Sequence, residues 1–275
     1  MLLLMTALAL ADDLELTAAK VAKLPAIDGK AGDDAWKGAT ELTVPIGVPE
    51  DKPERKATMK AVHDGDSIVL LVRWADDSKN AVHQTLSWSL SDEKYLVQDD
   101  AEYEDALSLG FALEGTFNPD MLAPVEAKWD VWHWGADRSS GGYALDMLHV
   151  YSKTAPAGMK SKQKTARDES RIFLGRALDA GTPPFKILEA PKAKGADKVP
   201  QFAAQKPAGS AGDVEARGEH ADNMWTVEFK RKLKTGQKDD TQIDPSKPLA
   251  FCLATFNNQE KADHDVSHTI QLKLR

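Results

Sequence analysis

The stretch Lys128–Trp134, with the sequence KWDVWHW, decides the fold class predicted for this chain. Its large apolar side chains recur with the period of two that is typical of a β-strand. Trp132 and Trp134 therefore share one face of the strand with Asp130. Such a face is typical of either the wall of a pocket for a flat aromatic ligand or a tryptophan-rich core. The stretch alone leaves both interpretations open.

The same strand pattern continues through the rest of the chain. Residues 57–63 and 67–74 flank an Asp-Gly-Asp turn, which predicts a β-hairpin, and the second strand is apolar on both sides and so belongs in the middle of a sheet. Further strands are predicted at 105–113, 125–134, 225–231, 248–256 and 269–274, with one short helical turn at 33–36. Many short strands and few helices predict an all-β fold, a single antiparallel β-sandwich domain.

Composition limits the function classes. The chain has 275 residues, 42% hydrophobic and 28% charged, with a net charge of −8 and no basic block, which argues against nucleic acid or an anionic membrane surface as a partner.

Residues 1–11 are apolar and end in Ala-Leu-Ala, as in a secretory signal, although they lack a positive start. We therefore expect a truncated signal peptide at 1–11, a mature domain at 12–275, export to the periplasm and no stable membrane insertion.

A long insertion interrupts the predicted strands. From about residue 153 to 219 the sequence is rich in Lys, Ala, Gly and Pro, and only 171–177 and 185–188 are apolar enough to order against the core. A segment so poor in apolar residues gains little from burial. We expect an irregular surface insertion, which is typical of either a partner-docking arm or a solvated loop.

Several short motifs occur in a characteristic order. They are Ile27-Asp28-Gly29 with Trp36, Val72–Asp76 (VRWAD), Asp130–Trp134 (DVWHW), Phe229–Leu233 (FKRKL), and Phe256-Asn257-Asn258 with His264–Ser267 (HDVS). In this order the motifs resemble the haem-binding domain of the ethylbenzene dehydrogenase gamma-subunit family, from about Ala26 to the C-terminus. The resemblance implies a β-sandwich with one haem, acting as a periplasmic electron-transfer subunit beside a molybdenum oxidoreductase of the dimethyl sulfoxide reductase type. The resemblance favours a non-catalytic subunit over an enzyme.

The resemblance also implies axial ligands for the haem iron. Met121 occupies the place of the methionine that precedes the Trp-x-Trp strand, and His264 stands just before a Val-Ser pair near the C-terminus. A thioether and a neutral imidazole both suit low-spin iron and leave no open position. Without the resemblance, Met121 would be interpreted as a gap-filler and His264 as a surface histidine. Met147, His149 and His268 are the reserve ligands.

The remaining cofactor contacts follow from the same resemblance. Trp132 and Trp134 would form the pocket wall, and Arg73, Arg138 and Arg231 would pair with the haem propionates, with ordinary ion pairs as the alternative. His133, on the opposite face of its strand, is expected to pack or hydrogen-bond.

The chain has no CxxCH motif, so the haem would be a non-covalent haem b. The single cysteine, Cys252, lies in an apolar strand, and we expect a buried structural thiol there.

The alternative function classes are a carbohydrate-binding module and a hydrolase. The Asp-Gly and Trp opening and the sandwich also resemble carbohydrate-binding modules of the family-nine type, which would require exposed, coplanar tryptophans. A hydrolase is disfavoured because the sequence has neither GxSxG nor HExxH.

Overall fold

The computed structural model describes residues 14–47, 55–98, 101–258 and 264–275. The expected signal segment, residues 1–11, lies outside the described residues. Within them the secondary structure consists of strands and two single-turn 3-10 helices, Asp34–Trp36 and Ser210–Gly212. No helix in these ranges has the length and hydrophobicity needed to cross a bilayer.

The first strands are β1 (Leu14–Lys20), β2 (Leu42–Ile46), β3 (Arg55–His63), β4 (Ser67–Ala75), β5 (Leu86–Ser89), β6 (Lys94–Val97), β7 (Ala106–Gly115), β8 (Ala127–Gly135) and β9 (Leu145–Ser152). Those of the insertion are β10 (Ser161–Thr165), β11 (Arg171–Leu178), β12 (Gly181–Thr182), β13 (Phe185–Ile187), β14 (Lys198–Val199), β15 (Phe202–Ala204), β16 (Ala208–Gly209) and β17 (Glu215–Ala221). The last are β18 (Met224–Lys232), β19 (Leu249–Phe256), β20 (Asp265–Val266) and β21 (Ile270–Leu274).

Fourteen strands form one continuous sheet that folds back on itself. The strand order is β10-β11-β9-β8-β7-β19-β21-β1-β3-β4-β18-β17, with β2 beside β3 and β20 beside β19. In this order, we call the six strands from β10 to β19 the front half and the five strands from β1 to β17 the rear half. β21 lies between the two halves. All neighbours are antiparallel except β1, which runs parallel to both β21 and β3. The predicted all-β sandwich is confirmed.

Aromatic side chains from both halves meet in the core. Trp132 of β8 lies with its ring centroid 6.3 Å from that of Phe229 on β18, and Trp134 lies 4.9 Å from Trp225. All four side chains are almost completely buried. Burial of such large apolar areas is the main favourable contribution to the fold.

The predicted hairpin is confirmed. β3 and β4 pair from Ala57 with Trp74 to His63 with Ile68, and β4 also pairs with β18. Residues 67–72 of β4 are all buried, as its continuous apolar sequence predicts for a central strand.

The insertion is more regular than its composition predicts. β10 and β11 extend the front half beyond β9, β13 pairs with β15, and β14 pairs with β5. The two segments expected to order, 171–177 and 185–188, contain β11 and β13. β10 is mostly exposed. Its order comes from main-chain hydrogen bonds along the sheet edge, which do not depend on apolar side chains.

Candidate functional site

The outer face of the front half, which we call the front face, collects most of the sulfur and imidazole groups singled out in the sequence. Directly paired residues of neighbouring antiparallel strands point to the same side. Val131 pairs with Met147, and Trp129 pairs with His149. The front face comprises Ser108, Gly110, Trp129, Val131, His133, Met147, His149, Tyr151, Arg176, Cys252, Ala254, Phe256 and Val266.

Met121 packs onto this face from the loop between β7 and β8. It belongs to an apolar cluster around Trp129, Val131 and Tyr151, and its Sδ lies 3.4 Å from Nη2 of Arg176. The loop is held by an ion pair of 2.7 Å between Asp120 Oδ2 and the Nε of a nearby arginine, Arg167. The Arg167 backbone N–H also donates to the Leu122 carbonyl, and these bonds fix the position of the thioether.

His264 reaches the same face at the other end of β8. Val266 pairs with Ala254 of β19 and packs against the apolar cluster that contacts Met121. Alternation along the extended chain puts His264 on the same side as Val266. Its ring stacks on Phe256, with centroids 5.0 Å apart and an interplanar angle of 17°. Met121 and His264 therefore lie on the same face of the front half, near opposite ends of β8.

His133 already uses both ring nitrogens. Ser108 Oγ lies 2.7 Å from its Nδ1, and Nη2 of Arg138 lies 3.4 Å from its Nε2. Because arginine can only donate, we assign Nε2 as the acceptor and Nδ1 as the protonated nitrogen. Burial and the charge of Arg138 hold the His133 pKa well below its usual value. His133 packs and hydrogen-bonds, as the sequence indicates.

His149 has a nitrogen with no partner. Its ring is buried, and burial, together with the charge of Arg176, lowers its pKa to about 3. Nδ1 lies 3.4 Å from the Tyr151 hydroxyl, whereas Nε2 has no hydrogen-bond partner. A neutral imidazole with an available nitrogen is the form that binds iron. His149, with Met147 two residues before it on the same face, remains a sound reserve, while His268 is exposed.

Trp132 and Trp134 lie away from the front face. They point into the core between the two halves and pack against other aromatic rings, such as Phe111 at 4.5 Å from Trp132 and Trp74 at 6.4 Å from Trp134. The wall role that the resemblance implies for them is corrected here, because Trp129 is the tryptophan of β8 that faces outward. The Trp129 Nε1 atom also lacks a hydrogen-bond partner.

The nominated arginines separate into different regions. Arg231 is completely enclosed between the halves and pairs with Asp130 at 2.5 Å, and Arg73 lies on the outer face of the rear half, so neither reaches the front face. Arg138 does reach it beside His133, although its Nε is bound to Glu104. Arg176, which the sequence analysis missed, is exposed beside Met121.

Cys252 is a buried free thiol on the floor of the front face, as predicted. Burial raises its pKa to about 12, so the thiol stays protonated and unreactive.

The tryptophans do not form the exposed pair that a sugar-stacking surface requires. Six of the seven are buried, and the seventh, Trp88, is partly exposed and packs edge-on against Tyr95 with centroids 5.1 Å apart.

Comparison with known proteins gives one family and several distant structures. The profile of the ethylbenzene dehydrogenase family matches residues 33–267. No curated protein matches the chain. A family-9 carbohydrate-binding module from Caldicellulosiruptor kristjanssonii, solved with cellotriose, is 11% identical over 95% of this chain and 94% of that chain, with a TM-score of 0.42. A candidate carbohydrate-binding protein from Bacteroides uniformis is 8% identical over 95% and 100%, with a TM-score of 0.46. These structures are too distant to inform function.

Proposed function

The chain belongs to the ethylbenzene dehydrogenase family, and we propose from this membership that it is a periplasmic electron-transfer protein that binds one non-covalent haem b on its front face. The observation that supports the proposal is that Met121 and His264 lie on this same face, at opposite ends of β8, although 143 residues separate them in the chain. The apolar start of the sequence, residues 1–11, supports export.

The residues of the front face fit a haem chemically. Met121 would supply the thioether ligand and His264 the imidazole ligand, with Met147 and His149 in reserve. Trp129 and Val131 give an apolar wall, and the Nε1 of Trp129 is a buried donor without a hydrogen-bond partner. Arg176 and Arg138 are the guanidinium groups available for propionates, because a guanidinium holds a carboxylate with two hydrogen bonds.

Two protein ligands would make the site an electron carrier. The haem supplies one-electron exchange, and an iron with both axial positions occupied offers no place for substrate. His133 stays neutral at the edge of the face, and burial of the Trp129 region keeps water away from the apolar wall. The family supports association with a molybdenum enzyme, which would be the redox partner of this subunit.

The test is the absorption spectrum of the mature protein, produced in the periplasm with haem available. We expect a low-spin spectrum and complete removal of the haem by acid–acetone extraction, since the chain has no CxxCH. His264→Ala should shift the spectrum towards high spin, and Met121→His should stay low-spin with a lower reduction potential. His268→Ala is the matched control and should change neither property.

Three results would revise this proposal. A change with His268→Ala but not with His264→Ala would move the ligand within the C-terminal loop. A change with His149→Ala alone would move the axial ligand to β9. A colourless protein that does not titrate with haem but binds oligosaccharide would favour a carbohydrate-binding module, for which a cleft of about 610 Å³ lined by Trp74, Asp76 and Asn257 is a candidate site.

A further inference from the structure

A group of five aspartates, four of them buried and Asp239 partly exposed, lies between the two halves, behind the front face. Asp130 is on β8, Asp146 is on β9, Asp179 follows β11, and Asp239 and Asp240 lie in the loop between β18 and β19. We call these five residues the carboxylate cluster. Carboxylate oxygens of Asp130, Asp146 and Asp240 lie within 4.8 Å of one another, and those of Asp179, Asp239 and Asp240 form a second such group. Asp240 joins the two.

One cation faces this cluster. Among the described residues, Arg231 alone forms ion pairs with it, at 2.5 Å to Asp130 Oδ2 and 3.5 Å to Asp240 Oδ1. Its Nη2 donates to the Thr241 carbonyl instead of to another carboxylate. Asp130, Asp146, Asp179 and Asp240 are all less than 7% exposed, so one positive charge stands against four buried carboxylates.

Most of the carboxylate oxygens also lack hydrogen bonds. Asp146 is fully buried, and neither of its side-chain oxygens has a hydrogen-bond partner. Both oxygens of Asp179, both of Asp240 and Oδ1 of Asp130 are in the same condition. Leaving a buried anion unpaired costs several kcal/mol, on the order of the stability of a whole domain. Asp146 points into the cluster without a hydrogen bond, and the cation near it, Arg231, is already paired with Asp130, which indicates a missing positive partner.

We propose that the carboxylate cluster binds a divalent cation, and that the ion is calcium. The cluster offers oxygen ligands only, which excludes the nitrogen and sulfur sets that zinc prefers. Calcium accepts six to eight oxygens in irregular geometry, whereas magnesium demands an octahedron and keeps most of its waters. A bound ion would tie β8 and β9, which carry the front face, to the insertion through Asp179 and to the β18–β19 loop through Asp240.

The experiment uses the full mature protein after removal of metals with a chelator. Added CaCl2 should raise the midpoint of thermal unfolding by several degrees, and the same concentration of MgCl2 should raise it much less. TbCl3 should give luminescence on excitation of tryptophan, because the Trp132 ring lies 4.7 Å from the Arg231 guanidinium carbon. Metal analysis of the untreated protein should find calcium.

Two variants distinguish between two states of the cluster: ionised carboxylates that bind a cation, and protonated carboxyl groups that share hydrogen bonds. Asp146→Asn should abolish both the calcium shift and the terbium signal. Glu228→Gln is the matched control, because Glu228 is an equally buried carboxylate outside the cluster, and it should keep both. If Asp146→Asn does not fold, Asp179→Asn provides the same comparison.

The following combination of results would contradict the proposed calcium site. If calcium leaves the unfolding midpoint of the parent protein unchanged, no terbium luminescence develops, and Asp146→Asn raises the midpoint, the cluster holds protonated carboxyls and no metal. None of these measurements depends on haem, so the failure of the calcium site and the failure of the haem proposal can be distinguished.

Discussion

Glu228 shows how a single buried side chain can hold distant parts of the sequence together. Its carboxylate accepts hydrogen bonds from the backbone N–H groups of Asp28 and Gly29, both at 3.0 Å, and from Trp36 Nε1 at 3.1 Å. The motif of Ile27-Asp28-Gly29 and Trp36 therefore has a structural explanation, because three of its N–H groups donate to one residue of β18.

We expect Glu228→Ala to lower the free energy of unfolding by about 3 kcal/mol, since it leaves three N–H donors unpaired, two of them buried. Urea denaturation followed by tryptophan fluorescence measures the loss. Asp33→Ala is the control, because Asp33 accepts a single exposed hydrogen bond, from the Ala26 N–H, and should cost less than about 1 kcal/mol. Equal losses in the two variants would contradict the anchoring role of Glu228.

His83 gives a second prediction at this scale, concerning pH. Burial, together with the charge of Arg138, lowers its pKa to about 4, although Glu104 lies 3.3 Å away and acts in the other direction. His83 therefore takes up a proton near pH 6.5 in the unfolded chain but only near pH 4 in the folded chain. Stability must fall as the pH drops through this window.

Replacing His83 by Gln should make the free energy of unfolding less dependent on pH between about 6.5 and 4. The measurement is the difference between parent and variant across this window, so that other titrating groups cancel. Rings of Tyr103 and Phe202 pack against His83, so some stability will be lost at every pH. Parallel pH curves for the two proteins would show that His83 does not titrate as described.

Among the elements, β8 is buried on both faces for most of its length. Its inner face meets the rear half, and β17 crosses close to Trp134. A Cβ added at Gly218 of β17 would lie 2.3 Å from Cζ2 of the Trp134 ring. The glycine allows the two halves to close over the tryptophan.

Gly218→Ala should therefore destabilise the protein by about 1–3 kcal/mol, the usual cost of overpacking a core. Gly32→Ala is the matched control, since a Cβ there would meet nothing within 4 Å. Chemical denaturation of both variants gives the comparison. Unchanged stability of Gly218→Ala would mean that Trp134 can move aside without cost.

At the scale of the whole molecule, the two faces of the front half carry different kinds of side chain. The inner face supplies the aromatic core and the carboxylate cluster, and the outer face carries the sulfur and imidazole groups. Under the proposed function, a haem would occupy the outer face while the core stays packed.

The proposed electron-transfer role predicts the reaction with carbon monoxide. With Met121 and His264 both on the iron, carbon monoxide should bind the reduced protein slowly, because a protein ligand must leave first. The His264→Ala variant should bind it rapidly. Stopped-flow absorption measures both rates. Rapid binding to the unsubstituted protein would contradict a site with two protein ligands.

The sequence by itself determined seven of the longer strands, the central position of β4 and the two faces of β8. Alternation is a local property of an extended chain, so the pattern of Lys128–Trp134 correctly separates Trp132 and Trp134 from His133. The continuous apolar run of β4 likewise predicts a central strand. The insertion was harder to predict, since the mostly exposed β10 is ordered by main-chain hydrogen bonds to β11, whose Ile172 and Leu174 pack against the apolar cluster of the front half.

Only the tertiary structure decided which face of β8 meets the core. Both faces carry tryptophan, and no local pattern tells which side a second sheet will cover; the packing of β18 and β17 settles it for Trp134. The contact between Met121 and Arg176 could not be predicted from the sequence either, because the two residues come from separate parts of the chain. The carboxylate cluster is a similar case, since its members Asp146, Asp179 and Asp240 lie on separate strands and loops. Their proximity depends on the folding of one sheet onto itself, which brings together residues far apart in the chain.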